Sequence, residues 1–205
     1  MKLAPAPETH ALMVMGALHD AGDTIVLLGP HEPGFWAHFT AQPEYRDGRP
    51  DPLDRWSKRA IGGLAADWNG TAIFPSDGPP YAPFQDWALR SGQAWTSPVG
   101  MLVQAQAGLM VSFRGAVRLA GRRLPLPAAK PDPCRTCPDK PCLSACPVGA
   151  LGPGPYRVDA CRAHLETAEG RDCRAQGCAV RRACPVSRSY GRLPEQSAFH
   201  MRAFR

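Results

Sequence analysis

The first 133 residues of this 205-residue chain contain no cysteine. That excludes a disulfide-stapled or thiolate-bound design for nearly two-thirds of the molecule. No run of about 18 apolar residues occurs anywhere, so no transmembrane helix and no membrane role are expected. The opening MKLAPAPETHALMVMGALHDAG carries prolines, Glu8 and His10. A signal peptide would have a charged start, an unbroken apolar stretch and a cleavage site there, so a cytoplasmic protein is expected. There is no GxGxxG after a strand, no Walker loop, no HExxH and no GxSxG, which leaves the common dinucleotide, nucleotide, zinc-protease and hydrolase sites without support. The histidines (His10, His19, His31, His38, His164 and His200) show no metal-type pairing.

What is present is loop-rich: 23 prolines and 20 glycines make up roughly a fifth of the chain. The net charge of +6 is unevenly spread. Residues 1–130 hold 12 basic and 11 acidic side chains, whereas residues 131–205 hold 12 and 7. The excess at the C-terminal end fits arginines that balance bound anionic groups. A nucleic-acid surface is the sharper alternative and is not the favoured one.

The hydrophobic pattern predicts an amphipathic helix over 7–21 and a buried strand over 24–29 closed by Gly29–Pro30. A short helix is expected over 33–42. A longer one runs from Asp51, as N-cap, and Pro52 to about Asn69, with Trp56, Ala60, Leu64 and Trp68 on one core-facing side. A strand over 71–74 and a helix over 82–91 ended by Gly92 follow. Residues 99–105 and 108–120 are expected to pair as antiparallel strands about a turn at Ala107–Gly108. The prolines of 121–133 place a junction there. The expected fold is α+β, with an α/β domain over 1–130 and a second domain over 131–205.

All eight cysteines fall between Cys134 and Cys184. The first group is Cys134-x2-Cys137-x4-Cys142-x3-Cys146-Pro147. The second is Cys161-x11-Cys173-x4-Cys178-x5-Cys184-Pro185. Bacterial two-cluster ferredoxins use C-x2-C-x2-C-x3-C-P, in which the fourth cysteine serves the other cluster. On that pattern Cys134, Cys137, Cys142 and Cys184 hold one [4Fe–4S] cluster, and Cys146, Cys161, Cys173 and Cys178 hold the other. The x4 and x5 spacings are looser than the pattern, and Pro138, Pro141 and Gly177 suit expanded loops. Two zinc sites of four thiolates each are the rival reading.

The stretches CRTCPDKPCLSACPVGAL, YRVDACRAHLE and GCAVRRACP resemble the dicluster domain of the epoxyqueuosine reductase family, whose members are cobalamin-dependent iron–sulfur enzymes acting on tRNA. The preceding PFQDWALRSGQAWTSPVGMLVQAQAGLMVSFRGAVRLAGRRLPLP is similar to the helix, loop and strands before those clusters. With DPLDRW, it is also similar to cobalamin-processing flavin-reductase-like proteins. The resemblance implies a nitroreductase-like α/β domain that binds a corrinoid or a flavin, followed by a 2[4Fe–4S] ferredoxin-like domain. It implies a catalytic aspartate, for which the nearest counterpart is Asp77 in SDGPPYAP. The expected function is an iron–sulfur oxidoreductase passing electrons from a redox partner protein through its clusters to that cofactor. A ferredoxin-type carrier whose N-terminal domain only docks a partner enzyme is the alternative, and a tRNA-modifying reductase is a third.

Overall fold

The computed structural model describes residues 3–204 as a mixed α+β fold. In chain order, a 3-10 turn at Pro7–His10 leads into β1 (Leu12–Asp20) and β2 (Asp23–Pro30). Helices α1 (Phe35–Thr40), α2 (Pro43–Arg46) and α3 (Pro52–Asp67) follow, then β3 (Thr71–Ile73), α4 (Phe84–Arg90), β4 (Ala94–Thr96), β5 (Leu102–Gln104) and β6 (Gly115–Leu119). The rest is short helices: a 3-10 turn at Pro141–Leu143, α5 (Val158–Glu166), α6 (Arg171–Gln176), α7 (Ala179–Ala183), α8 (Pro185–Ser189) and α9 (Pro194–Phe204). No helix among the described residues is long and apolar enough to cross a membrane.

The chain divides into two compact units. One comprises 1–94 and 112–130, the other 95–111 and 131–205. The second unit therefore takes a piece from the middle of the expected first domain.

The first unit is built on an antiparallel sheet in the order β1-β2-β6-β3. The helix expected over 7–21 is instead mostly strand β1. Asp20 pairs with Asp23 across Ala21 and Gly22, which both take positive φ (48° and 93°). Such a two-residue turn matches the twist of paired strands and fixes the hairpin register. The helical spacing of Leu12, Met15 and Leu18 is coincidental; β1 buries these residues on a sheet partner, which a lone helix lacks. Gly16 lies where the end of α4 comes close: a Cβ there would stand 2.6 Å from Ser91 Oγ.

Helix α3 buries Trp56, Ala60, Ile61 and Leu64. Trp56 meets Phe35 and Phe39 edge-on, with ring centroids 5.4 and 5.8 Å apart. Asp51 does not cap this helix with its side chain. It sits in the left-handed region (φ 52°), and its carbonyl accepts from Arg55 N at 3.0 Å. Pro52 at the first helical position fixes the entry instead.

Residues 99–105 and 108–120 do not pair with one another. β5 pairs with β4, and β6 enters the main sheet between β2 and β3. Only Gln104 and Gly108 bridge, by bonds of 3.0 and 2.8 Å. The Gln104 side-chain oxygen accepts from the backbone of Gln106 and Ala107, which closes this tight turn locally. With its polar groups satisfied in the turn, the stretch continues no hairpin.

Candidate functional site

The second unit gathers the eight cysteines around two separate cavities. The first, about 250 Å³, is lined by Cys134, Cys137, Cys142 and Cys184. The second, about 20 Å³, is lined by Cys146, Cys161, Cys173 and Cys178. None of the eight forms a disulfide.

Local sequence explains how each thiol is presented. Asp132 accepts from Cys134 N at 2.9 Å, an Asx turn that starts the first loop. Lys140, at φ 38°, turns the chain into the 3-10 element that carries Cys142. Cys184 is both the last cap of α7 and the first cap of α8, and Pro185 opens α8 with no donor to waste. The turn at 104–108 presses on this thiol. Gly108 has φ 57°, and a Cβ on it would meet Ser187 N at 2.5 Å and Cys184 Sγ at 3.1 Å. Leu109 N donates to Ser187 Oγ at 2.8 Å and locks the approach. Val99, Val103, Leu109, Leu151 and Val180 form the apolar wall around Cys142 and Cys184.

In the second set, α5 carries Cys161, α6 carries Cys173, and Cys178 caps α7. Cys146 Sγ accepts from Ala150 N at 3.1 Å. His164, Leu165, Val180 and Met201 close the wall. The five-residue helix α7 thus links the sets, with Cys178 at one end and Cys184 at the other. At 1.5 Å per residue they are about 9 Å apart along it.

The thiols perturb one another. Burial, then Asp132, Cys142, Cys184 and Cys137, pushes the Cys134 thiol up to about 11. Burial and the Cys184 sulfur push Cys142 up, while backbone donors at Cys142 and Leu143 pull the other way. Burial pushes Cys173 up, opposed by an Ala179 backbone hydrogen bond. Burial raises the Tyr156 phenol, and the Cys161 thiol beside it adds to the rise. The Arg181 guanidinium lies in the field of Cys178 and Tyr156, and burial lowers its pKa. Its Nη1 donates to the Leu109 carbonyl at 2.8 Å.

Among the described residues, no three His, Cys, Asp or Glu side chains close on one point as they would around a single metal ion. Four thiols around 250 Å³ leave room for a body larger than an ion. Four soft sulfurs in each set suit an iron–sulfur cubane, and Ala150 N already donates to Cys146 Sγ; the second cavity, at about 20 Å³, would have to widen to take one.

Asp77 belongs to the first unit and lines neither cysteine cavity. It is half-exposed and paired with Lys58, Nζ to Oδ1 2.7 Å. Beside it a cavity of about 290 Å³ is lined by Asp54, Ser57, Phe74, Ser76, Phe113 and Arg114, without Asp77. The residues of 95–111 that wall the first cysteine cavity carried no sequence signal, since their thiol neighbours lie 25 or more positions downstream. Tyr156, in a Gly–Pro stretch, was equally silent.

Compared with known proteins, the chain matches no family model, no curated protein and no solved structure.

Proposed function

We propose that the protein is an iron–sulfur electron-transfer protein whose second unit, ferredoxin-like in design, binds two [4Fe–4S] clusters. The observation that carries the reading is the division of eight cysteines into two cavities of four each. It is the division that an exchanged fourth ligand requires: Cys146 leaves the first loop for the second cavity, and Cys184 leaves the second group for the first. Bound there, each cluster would take up and release one electron at a time. The chain supplies the thiolates, backbone donors to the sulfurs, and an apolar wall that keeps water back. Helix α7 carries one ligand of each set at its two ends, Cys178 and Cys184. The arginines of residues 131–205 offset the negative charge that eight thiolates bring.

Protein purified without oxygen is expected to hold about eight irons and eight sulfides. Cys134→Ser and Cys161→Ser are each expected to lose about four. Zinc in place of iron, or one variant losing everything while the other loses nothing, would overturn the reading.

A second reading makes the protein a reductase, in which electrons pass on to a corrinoid or flavin in a nitroreductase-like first unit, with Asp77 as a proton donor. The cavity beside Arg114, at about 290 Å³ near the low end of ligand pockets, supports a bound group in the first unit, while Asp77 does not line it. Extraction of a bound corrinoid or flavin would favour this reading. Iron with no organic cofactor, even after incubation with both, would leave the carrier that serves a partner enzyme. A tRNA-modifying role predicts salt-sensitive binding of tRNA, and no binding at low salt would remove it.

A further inference from the structure

Ser97 sits in the turn between β4 and β5. Its N–H donates to the Met101 carbonyl at 2.8 Å, and its own carbonyl accepts from Gly100 N at 2.9 Å. Gly100 takes φ 76°, a left-handed value that suits glycine. Backbone bonds alone therefore fix the place of Ser97. Its side chain makes none: the residue is 5% exposed, and among the described residues Oγ has no hydrogen-bond partner. A buried hydroxyl in that state costs free energy until something accepts its proton. Ser97 lines the first cysteine cavity. Two other side-chain donors besides the thiols stand on that wall. The Thr136 hydroxyl already donates to the Pro133 carbonyl at 3.4 Å, and Lys140 is exposed to water. Neighbouring Pro98, Val103 and Leu109 bring no polar side-chain atom.

None of the four cysteine sulfurs takes this proton, so the acceptor has to come with whatever fills the cavity. A zinc ion would add no acceptor, because its four bonds go to the same thiolates. An iron–sulfur cubane adds inorganic sulfides, which accept hydrogen bonds. A serine hydroxyl swings about χ1 alone, between staggered wells, so it can turn to an occupant without moving the backbone. We propose that Ser97 Oγ–H donates to an inorganic sulfide of the cluster held by Cys134, Cys137, Cys142 and Cys184, and so raises the potential of that cluster. The inference rests on the two-cluster reading. An added electron makes the cluster more anionic, so a hydrogen bond to its sulfur is stronger in the reduced form and favours it. The proton stays on Oγ throughout, and no bond breaks when the electron arrives. Ser97 is thereby a positioning residue, acting on the potential and not on the ligation.

The test is an anaerobic redox titration of the loaded protein followed by electron paramagnetic resonance, with iron and zinc assayed in each sample. The signal of the first set is the one missing from Cys134→Ser. Ser97→Ala removes one buried atom that makes no bond within the chain, so the fold and the irons are expected to stay. The potential of the first set should fall by about fivefold in electron partition, ~40 mV on a scale of ~59 mV per tenfold, and the other signal should not move. Ser97→Thr keeps the hydroxyl and should titrate near wild type. Loss of about four irons from Ser97→Ala but not from Ser97→Thr would also support the bond. An unmoved first signal in Ser97→Ala with eight irons bound, or an equal shift or loss in Ser97→Thr, would overturn the proposal. Zinc in wild type, or no iron at all, would instead overturn the two-cluster reading.

Discussion

The two cysteine cavities use the same four-thiol donor set and are built from different material. The first is framed by loops and prolines: Pro98, Pro133, Pro138, Pro141 and Pro185 line it, and it keeps about 250 Å³. The second is framed by α5, α6 and α7 with Leu165, Val180 and Met201 turned inward, and it keeps about 20 Å³. Rigid rings with fixed φ cannot fold into a space, whereas long flexible side chains on helices can. The difference teaches that the same four-thiol set can stand open where prolines line it and be filled by Leu165, Val180 and Met201 where helices do.

The sharpest way to break this comparison is to push the turn at 104–108 into the first cavity. Gly108→Val adds a Cβ where Ser187 N stands 2.5 Å away, at a residue with φ 57°. It is expected to cost about 3–4 kcal/mol by overpacking and left-handed strain, and to remove about four irons by displacing Cys184. Urea unfolding with iron assay measures both. Wild-type stability with all irons retained would mean that the close approach has no bearing on the first set.

Leu165→Ala acts on the other cavity. Leu165 is 1% exposed, and its truncation is expected to cost about 3 kcal/mol. The second set should then load iron faster, with the loading of the first set unchanged. Equal rates in variant and wild type would show that Leu165 does not gate that space.

The smallest expected effect is of pH on the iron-free protein. The Cys134 thiol is pushed from 9.0 up to about 11, so the folded state favours its neutral form. The resulting stability is fully present below pH 9 and is lost as pH rises through 11. Urea midpoints should therefore fall between pH 9 and 11, and less so in Cys134→Ser. Reconstitution with iron should run faster toward pH 9, because each ligand must give up a proton first. A flat profile in both assays would show that Cys134 is not held neutral.

Much of the first unit was legible because its signals are local. The Asp51–Pro52 start and the Trp56, Ala60, Leu64 repeat lie within one helix, and the β-branched run at 24–26 lies within one strand. β1 was not legible as a strand, because its apolar residues fit a helical period as well as a sheet edge. The deciding signal was the turn at Ala21–Gly22, whose two positive φ values belong to a hairpin. The partners of β5 and β6 were also hidden. Adjacency in sequence suggested that they pair with each other, yet the buried face of β6 found a better match between β2 and β3.

By itself the sequence supplied eight thiols in two runs, each ending in Cys–Pro, and the bacterial two-cluster ferredoxin pattern suggested from them two sets of four with one member exchanged. Only the tertiary structure decided what surrounds each group. Residues 99–109 reach the first set across more than 20 intervening residues, and His164, Leu165, Val180 and Met201 come to the second from α5, α7 and α9. Spacing along a chain constrains near neighbours, whereas the electrostatic field at a buried sulfur is the sum over everything that folding brings near it.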